Sequence, residues 1–151
     1  MKRLKTIALL LGLTFALSAH AATVLLDDSQ SQVLQPQLGL QWRSISPARG
    51  DHQVIGSTRV QIRLNMQAHL GKMGRIFMAL PAQPSAQVNV QWQTQGPFIN
   101  GQLISGSRAL VWQGKITTAM LEDVLSVSLQ TDGRLLQSQQ ALRFHFELDV
   151  P

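Results

Sequence analysis

The chain of 151 residues contains no cysteine and no tyrosine. Without cysteine it can form neither a disulfide nor a thiolate metal site, and it cannot carry the cysteine-linked lipid of a bacterial lipoprotein. A long apolar segment is also missing. The longest run, residues 6–17, covers 12 residues, whereas a helix that spans a bilayer needs about 20. We therefore expect no membrane span in the mature chain and a fold that depends on its hydrophobic core alone.

Residues 1–21 show the three parts of a secretory signal peptide. Basic residues stand at the start, the apolar run 6–17 follows, and Ala19 and Ala21 occupy the −3 and −1 positions that a signal peptidase accepts. The pattern predicts cleavage after Ala21 and export. The short signal and the absence of cysteine indicate a bacterial protein of the periplasm, the cell surface or the medium.

The excess of positive charge belongs largely to the signal peptide. Three of the 13 lysines and arginines lie within residues 1–21, which leaves ten basic residues against eight acidic ones. Nucleic-acid-binding domains carry a clustered basic face. The mature chain shows no such cluster, so we expect no nucleic-acid partner.

Alternation of apolar and polar residues dominates the mature chain and is typical of half-buried strands. It covers residues 38–43, 59–66, 87–93, 125–130 and 142–150. Residues 102–104 indicate a shorter strand, and residues 76–80 and 109–112 are apolar on both faces, as expected for strands covered on both sides, for example by loops. Turn signals such as Asn100-Gly101 and Asp132-Gly133 separate the segments.

This pattern predicts an all-β fold, an antiparallel two-sheet sandwich of immunoglobulin-like architecture with seven or eight strands. Residues 22–151 form a single domain without repeats or a linker, and residues 22–36 are expected to be a loose N-terminal arm. The best helical candidate is one turn at residues 117–123. The tryptophans Trp42, Trp92 and Trp112 fall in apolar positions and are predicted to lie in the core.

Two groups of ionisable side chains are candidate chemical sites. His145, Glu147 and Asp149 are spaced by two on one strand face, about 7 Å apart. They could bind a metal ion or, as we expect, form a solvated face with ion pairs to neighbouring strands. The neighbours Glu122 and Asp123 should diverge, with one of them capping a turn.

Motifs of nucleophilic catalysis are missing from the sequence, which has no Gly-x-Ser-x-Gly and no Ser-x-x-Lys. We therefore predict a protein that is not an enzyme, with no catalytic residues, no cofactor and no metal.

The candidate partner-binding loop lies between two predicted strands. Residues 67–75 contain two glycines and the cationic side chains of His69, Lys72 and Arg75, and loops on a rigid sandwich often carry binding residues. Phe98 is a further candidate, either as an exposed apolar contact or as a cover for the end of the sandwich.

Two functions remain open. The first is a non-catalytic protein-interaction or structural module that binds another exported protein, such as a subunit or accessory protein of a fimbria-like surface assembly. The alternative is a periplasmic sandwich that binds a small ligand or a carbohydrate.

Export itself gives the first testable prediction. Mass spectrometry of the mature protein should show Ala22 as the N-terminal residue, because signal peptidase cleaves after the small residue at −1. Recovery of the chain with Met1 intact from the cytosol would contradict it.

Overall fold

The structure, a computed structural model, describes residues 22–35, 39–44, 50–135 and 143–151. The predicted signal peptide lies outside the described residues, as do Leu38 and Leu142 of the predicted strands.

The described residues form ten strands in two antiparallel sheets, which confirms the all-β prediction. In chain order the strands are β1 (Ala22–Leu25), β2 (Gln32–Val33), β3 (Gln41–Trp42), β4 (Gln53–Asn65), β5 (Met73–Leu80), β6 (Asn89–Thr94), β7 (Gly101–Ile104), β8 (Ser107–Lys115), β9 (Met120–Asp132) and β10 (His145–Val150). The number exceeds the seven or eight predicted because the N-terminal arm supplies two short strands of its own.

The four-stranded sheet, here called sheet I, has the order β1-β10-β5-β8. The six-stranded sheet, sheet II, has the order β2-β4-β9-β6-β7, and β3 also pairs with β4. The helical turn predicted at residues 117–123 is wrong. Met120 begins β9 and pairs with Asn65 at the end of β4. From Met120 onward the backbone therefore has an extended conformation, because it pairs with β4.

The core lies between the two sheets and takes side chains from both. Its fully buried members include Leu64, Trp92 and Leu125 from sheet II and Ile76, Phe146 and Leu148 from sheet I. In β10, Phe146 and Leu148 face inward while His145 and Glu147 face outward, which confirms the predicted alternation of that strand over its described part.

The N-terminal arm is not loose, contrary to the prediction. Residues 22–25 pair with β10, from Ala22 opposite Val150 to Leu25 opposite Glu147. Leu26 is buried in the core, and Asp27 then forms a bridge with Asn65 of sheet II. The arm therefore crosses from one sheet to the other and is part of the domain.

The runs that are apolar on both faces are covered differently from the expectation. Phe77 points outward from β5, and the guanidinium of Arg108 lies 4.2 Å from the centre of its ring. A cation–π contact, rather than a loop, covers this outward aromatic side chain. None of the helices in the described ranges has the length and apolar character to cross a membrane.

Alanine substitutions in and beside β10 test the predicted packing of the core. Phe146→Ala should lower the free energy of unfolding by about 3–5 kcal/mol, because it removes a fully buried ring and leaves a cavity. Phe144 is only half-buried, so Phe144→Ala should cost less. His145→Ala on the opposite face serves as the control in chemical denaturation, and a larger effect there than at Phe146 would contradict the register.

Candidate functional site

The predicted partner-binding loop is docked against another connection of the chain. His69 ends a short 3-10 turn (Gln67–His69). The amide of Gly71 donates to the carbonyl of Ile116 at 2.8 Å, and the amide of Ile116 donates to the carbonyl of Lys72 at 2.9 Å. Lys72 and Arg75 are exposed and His69 is half-buried, but Arg75 lies within β5, so the three cationic side chains do not share one loop.

Phe98 does not contribute to an exposed surface. It is only 5% exposed, its amide donates to the carboxylate of Asp123 at 2.8 Å, and its ring centre lies 6.4 Å from that of Phe146. The alternative of an exposed apolar contact is therefore wrong, and Phe98 belongs to the core.

The neighbours Glu122 and Asp123 diverge, as predicted. Glu122 points outward and pairs with Arg63 at 3.3 Å. Asp123 points inward and accepts hydrogen bonds from the amide of Phe98 and the hydroxyl of Thr94. Asp123 therefore fixes the connection between β6 and β7, which is distant in sequence, rather than capping a local turn as predicted. Its role is structural.

A charged network covers the outer face of sheet I. Arg108 of β8 reaches over Phe77 and contacts Glu147 at 2.8 Å and Asp149 at 3.2 Å, both on β10. Thr23 of the edge strand β1 donates to Asp149 at 2.6 Å. The network therefore connects all four strands of the sheet. Glu147 and Asp149 form ion pairs as predicted, but the cation comes from β8, which is not a neighbour of β10, and Asp149 is buried rather than solvated.

The remaining member of the predicted metal row also has a protein partner. His145 Nε2 lies 3.1 Å from Glu147 Oε1, so the carboxylates of this face are engaged by side chains. In the parts of the chain that the structure describes, no group of three or more histidine, aspartate or glutamate side chains is arranged to hold a metal ion.

The titration of this network follows from its contacts. The hydrogen bond from Thr23, together with Arg108 and Arg75, lowers the pKa of Asp149 despite its burial. Hydrogen bonds to Glu147 and Asp149 raise the pKa of Arg108. Both shifts favour the charged forms, so the network is a set of ion pairs at neutral pH.

The margin formed by β1, β2 and β3 combines unpaired backbone with exposed apolar side chains. Because Leu26 donates to the carbonyl of Phe146, the alternation of an antiparallel ladder directs the backbone groups of Val24 toward β10 and those of Thr23 and Leu25 toward the free edge. Six of the eleven exposed large apolar side chains in the described residues lie on or beside these strands: Val24, Leu25, Val33, Leu34, Leu40 and Trp42. We call this surface the N-terminal margin.

Trp42 is the tryptophan whose predicted burial is wrong, since it is 53% exposed, whereas Trp92 is 1% exposed and Trp112 is half-buried. The ring of Trp42 lies over Gly133, where an added Cβ would come within 2.7 Å of it. The apolar residues of the N-terminal arm were the feature of the sequence that could have indicated this margin. Alternation alone, by contrast, assigned Trp42 to the core.

A scan against protein-family models, a search of curated proteins and a search of solved structures each found no match to this chain.

The buried carboxylate of Asp149 gives a stability prediction. Its pKa in the folded state lies below the unfolded value, which is near 3.9, so its contribution is fully present above about pH 4 and is lost as the pH falls through the folded-state pKa. At pH 7, Asp149→Asn should lower the free energy of unfolding by about 1–3 kcal/mol. The difference from the wild type should shrink below about pH 4.

Urea denaturation at several pH values measures this difference. Glu122→Gln is the control, because that carboxylate forms an exposed pair, which contributes about 1 kcal/mol or less. A difference between wild type and Asp149→Asn that persisted unchanged at pH 2 would contradict the assigned role.

Proposed function

We propose that this protein is an exported, non-catalytic interaction module of a bacterial surface assembly such as a fimbria, and that it binds another exported protein through the N-terminal margin. The proposal rests above all on that margin, where unpaired strand edges coincide with exposed apolar side chains. The two antiparallel sheets are compatible with an immunoglobulin-like module of this kind.

The edge of β1 supplies the specific contact. Thr23 and Leu25 each present one N–H and one C=O group away from sheet I, and no other described strand pairs with that side of β1. An extended segment of a partner could satisfy these groups by adding a strand to the sheet, a mode in which backbone hydrogen bonds supply affinity and side chains supply specificity.

Exposed apolar area favours a protein as the partner. Leu25, on the edge strand of sheet I, is 68% exposed, and Val33, on the edge strand β2 of sheet II, is 54% exposed. Clusters of exposed apolar residues on a soluble domain mark interaction surfaces. An unprotected apolar edge would otherwise promote aggregation, so a bound partner would also protect it.

The arm itself is a poor candidate for a strand donated to a neighbour. Its residues 22–25 already pair with β10, and Leu26 is part of the core. In our proposal the protein therefore accepts a partner strand at its edge, and deletion of residues 22–30 would destabilise the domain rather than only release a partner.

Substitution of Leu25 tests the proposal without breaking a bond inside the sheet. Leu25→Pro removes an N–H that points to the free edge, and proline is tolerated on such an edge. In cross-linking and pull-down from periplasmic extract, the wild type should retain a specific exported protein, and Leu25→Pro and Leu25→Lys should lose it. Met73→Lys, at another exposed apolar position of sheet I, should retain it.

Comparing amide hydrogen exchange in the free protein and in the purified complex with its partner locates the contact. The amides of Thr23 and Leu25 should exchange freely in the isolated protein and become protected when the partner binds. A partner that is retained equally by Leu25→Pro and leaves these amides unprotected would refute strand addition at this edge.

A further inference from the structure

A polar groove crosses the outer face of sheet II, on the side of the molecule opposite sheet I. Direct cross-strand pairing aligns Ser57 of β4 with Ser128 of β9, Ser128 with Gln91 of β6, and Gln91 with Gln102 of β7. The four side chains alternate with inward-facing neighbours, so they form one row perpendicular to the strands.

The depth of the groove follows from side-chain size. The central strand β9 contributes the small residues Ser126 and Ser128, whereas Arg59 and Gln93 beside Ser126 are long. A cavity of about 610 Å³ lies over β6, β7 and β9, and another of about 360 Å³ lies over β4, β9 and β6. Both are lined by Gln91 and Ser128, so the two cavities are adjacent and share part of their walls.

The carboxamides along this groove have no side-chain hydrogen-bond partners within the described protein, whereas the hydroxyls of Ser107 and Thr58 in its lining donate to the carbonyls of Ile104 and Gln35. The hydrogen bonds of the described residues include none from the side-chain amides of Asn89, Gln91, Gln93, Gln102 and Gln130. Elsewhere such groups are used, as where Gln32 bonds to Gln61 at 3.0 Å and Asn100 accepts from the amide of Thr94 at 2.8 Å. The groove therefore offers donors and acceptors that a ligand could satisfy.

The charge of the groove is positive and comes from a single residue. Among the described residues that line the groove, Arg59 is the only ionisable one and none is a carboxylate. Its guanidinium forms no ion pair with a described residue. Arg63, four residues along β4 on the same face, is instead paired with Glu122. A ligand that places an acidic group at Arg59 and hydroxyls along the rest of the groove matches this distribution.

We propose that the polar groove binds an acidic oligosaccharide, with sugar hydroxyls on the amides of Gln91 and Gln102 and a sugar carboxylate on Arg59. Arginine binds a carboxylate through two parallel hydrogen bonds, and carboxamides both donate to and accept from hydroxyls. This site is additional to the protein-binding margin, and it gives the carbohydrate alternative of the sequence analysis a definite location.

Other ligand classes fit the groove less well. A nucleic acid needs several cations and stacking aromatic side chains. The described lining has one arginine, and its one aromatic residue, Trp92, is 1% exposed. The centre of a protein interface is enriched in aromatic residues and depleted in serine, but serine occupies the centre of this groove.

Calorimetric titration of the mature protein with hexagalacturonate, and with its methyl ester as the uncharged counterpart, tests the proposal. We expect saturable binding of the acid that weakens with added salt and much weaker binding of the ester. Arg59→Gln should reduce affinity for the acid by about tenfold or more, and Gln91→Ala and Ser128→Trp should also reduce it. Arg63→Gln is the matched control on the same face and should bind as the wild type does.

Each result decides a separate point. Equal binding of acid and ester with no effect of Arg59→Gln would refute the acidic ligand. The groove would be refuted as the site if no saturable binding were found. It would also be refuted if neither Gln91→Ala nor Ser128→Trp changed the affinity, provided that the Ser128→Trp variant keeps the melting temperature of the wild type. Neither result bears on strand addition at β1, which Leu25→Pro tests independently.

Discussion

The pairing of β4 with β9 is the constraint on which the rest of the structure depends. Thirteen consecutive residue pairs join the two strands, from Gln53 opposite Asp132 to Asn65 opposite Met120. Because side chains alternate strictly along a strand, a shift of one residue would exchange the two faces. This register places Ile62 and Leu125 in the core and Arg59 and Ser126 on the outer face, so the core and the polar groove are decided together.

The two outer faces differ in whether their polar groups are already paired. On sheet I, Arg108 binds the carboxylates of β10 and covers Phe77, and Thr23 completes the network. These contacts hold the short edge strand β1 in place, which matters because only four residues pair with β10. On sheet II the amides remain available to a ligand. The paired groups therefore stabilise the outer face of sheet I, and in our second proposal the unpaired carboxamides on sheet II bind the ligand.

Glu122 and Asp123 illustrate how far local pattern can predict. Alternation in an extended segment places the two carboxylates on opposite faces, and the structure confirms this. The hydrogen-bond partners could not be predicted from the local pattern, because Asp123 binds Thr94 and Phe98, which are 29 and 25 residues away in the chain. Arg108 shows the same limit: its partners Glu147 and Asp149 are about forty residues distant, and no spacing in the sequence connects them.

The all-β class, the main strands and the inward register of β10 were determined by the sequence itself, because period-two alternation is a local property that survives whatever the strands pair with. Pairing was decided only in three dimensions. The arm at residues 22–25 has apolar and polar residues that suit a loose segment equally well, and it became a strand because β10 offered an unpaired edge. Trp42 was expected in the core and is exposed, whereas for Phe98 the structure decided between two alternatives in favour of burial. Both outcomes depend on which residues the second sheet covers, and that is not a local property of the sequence.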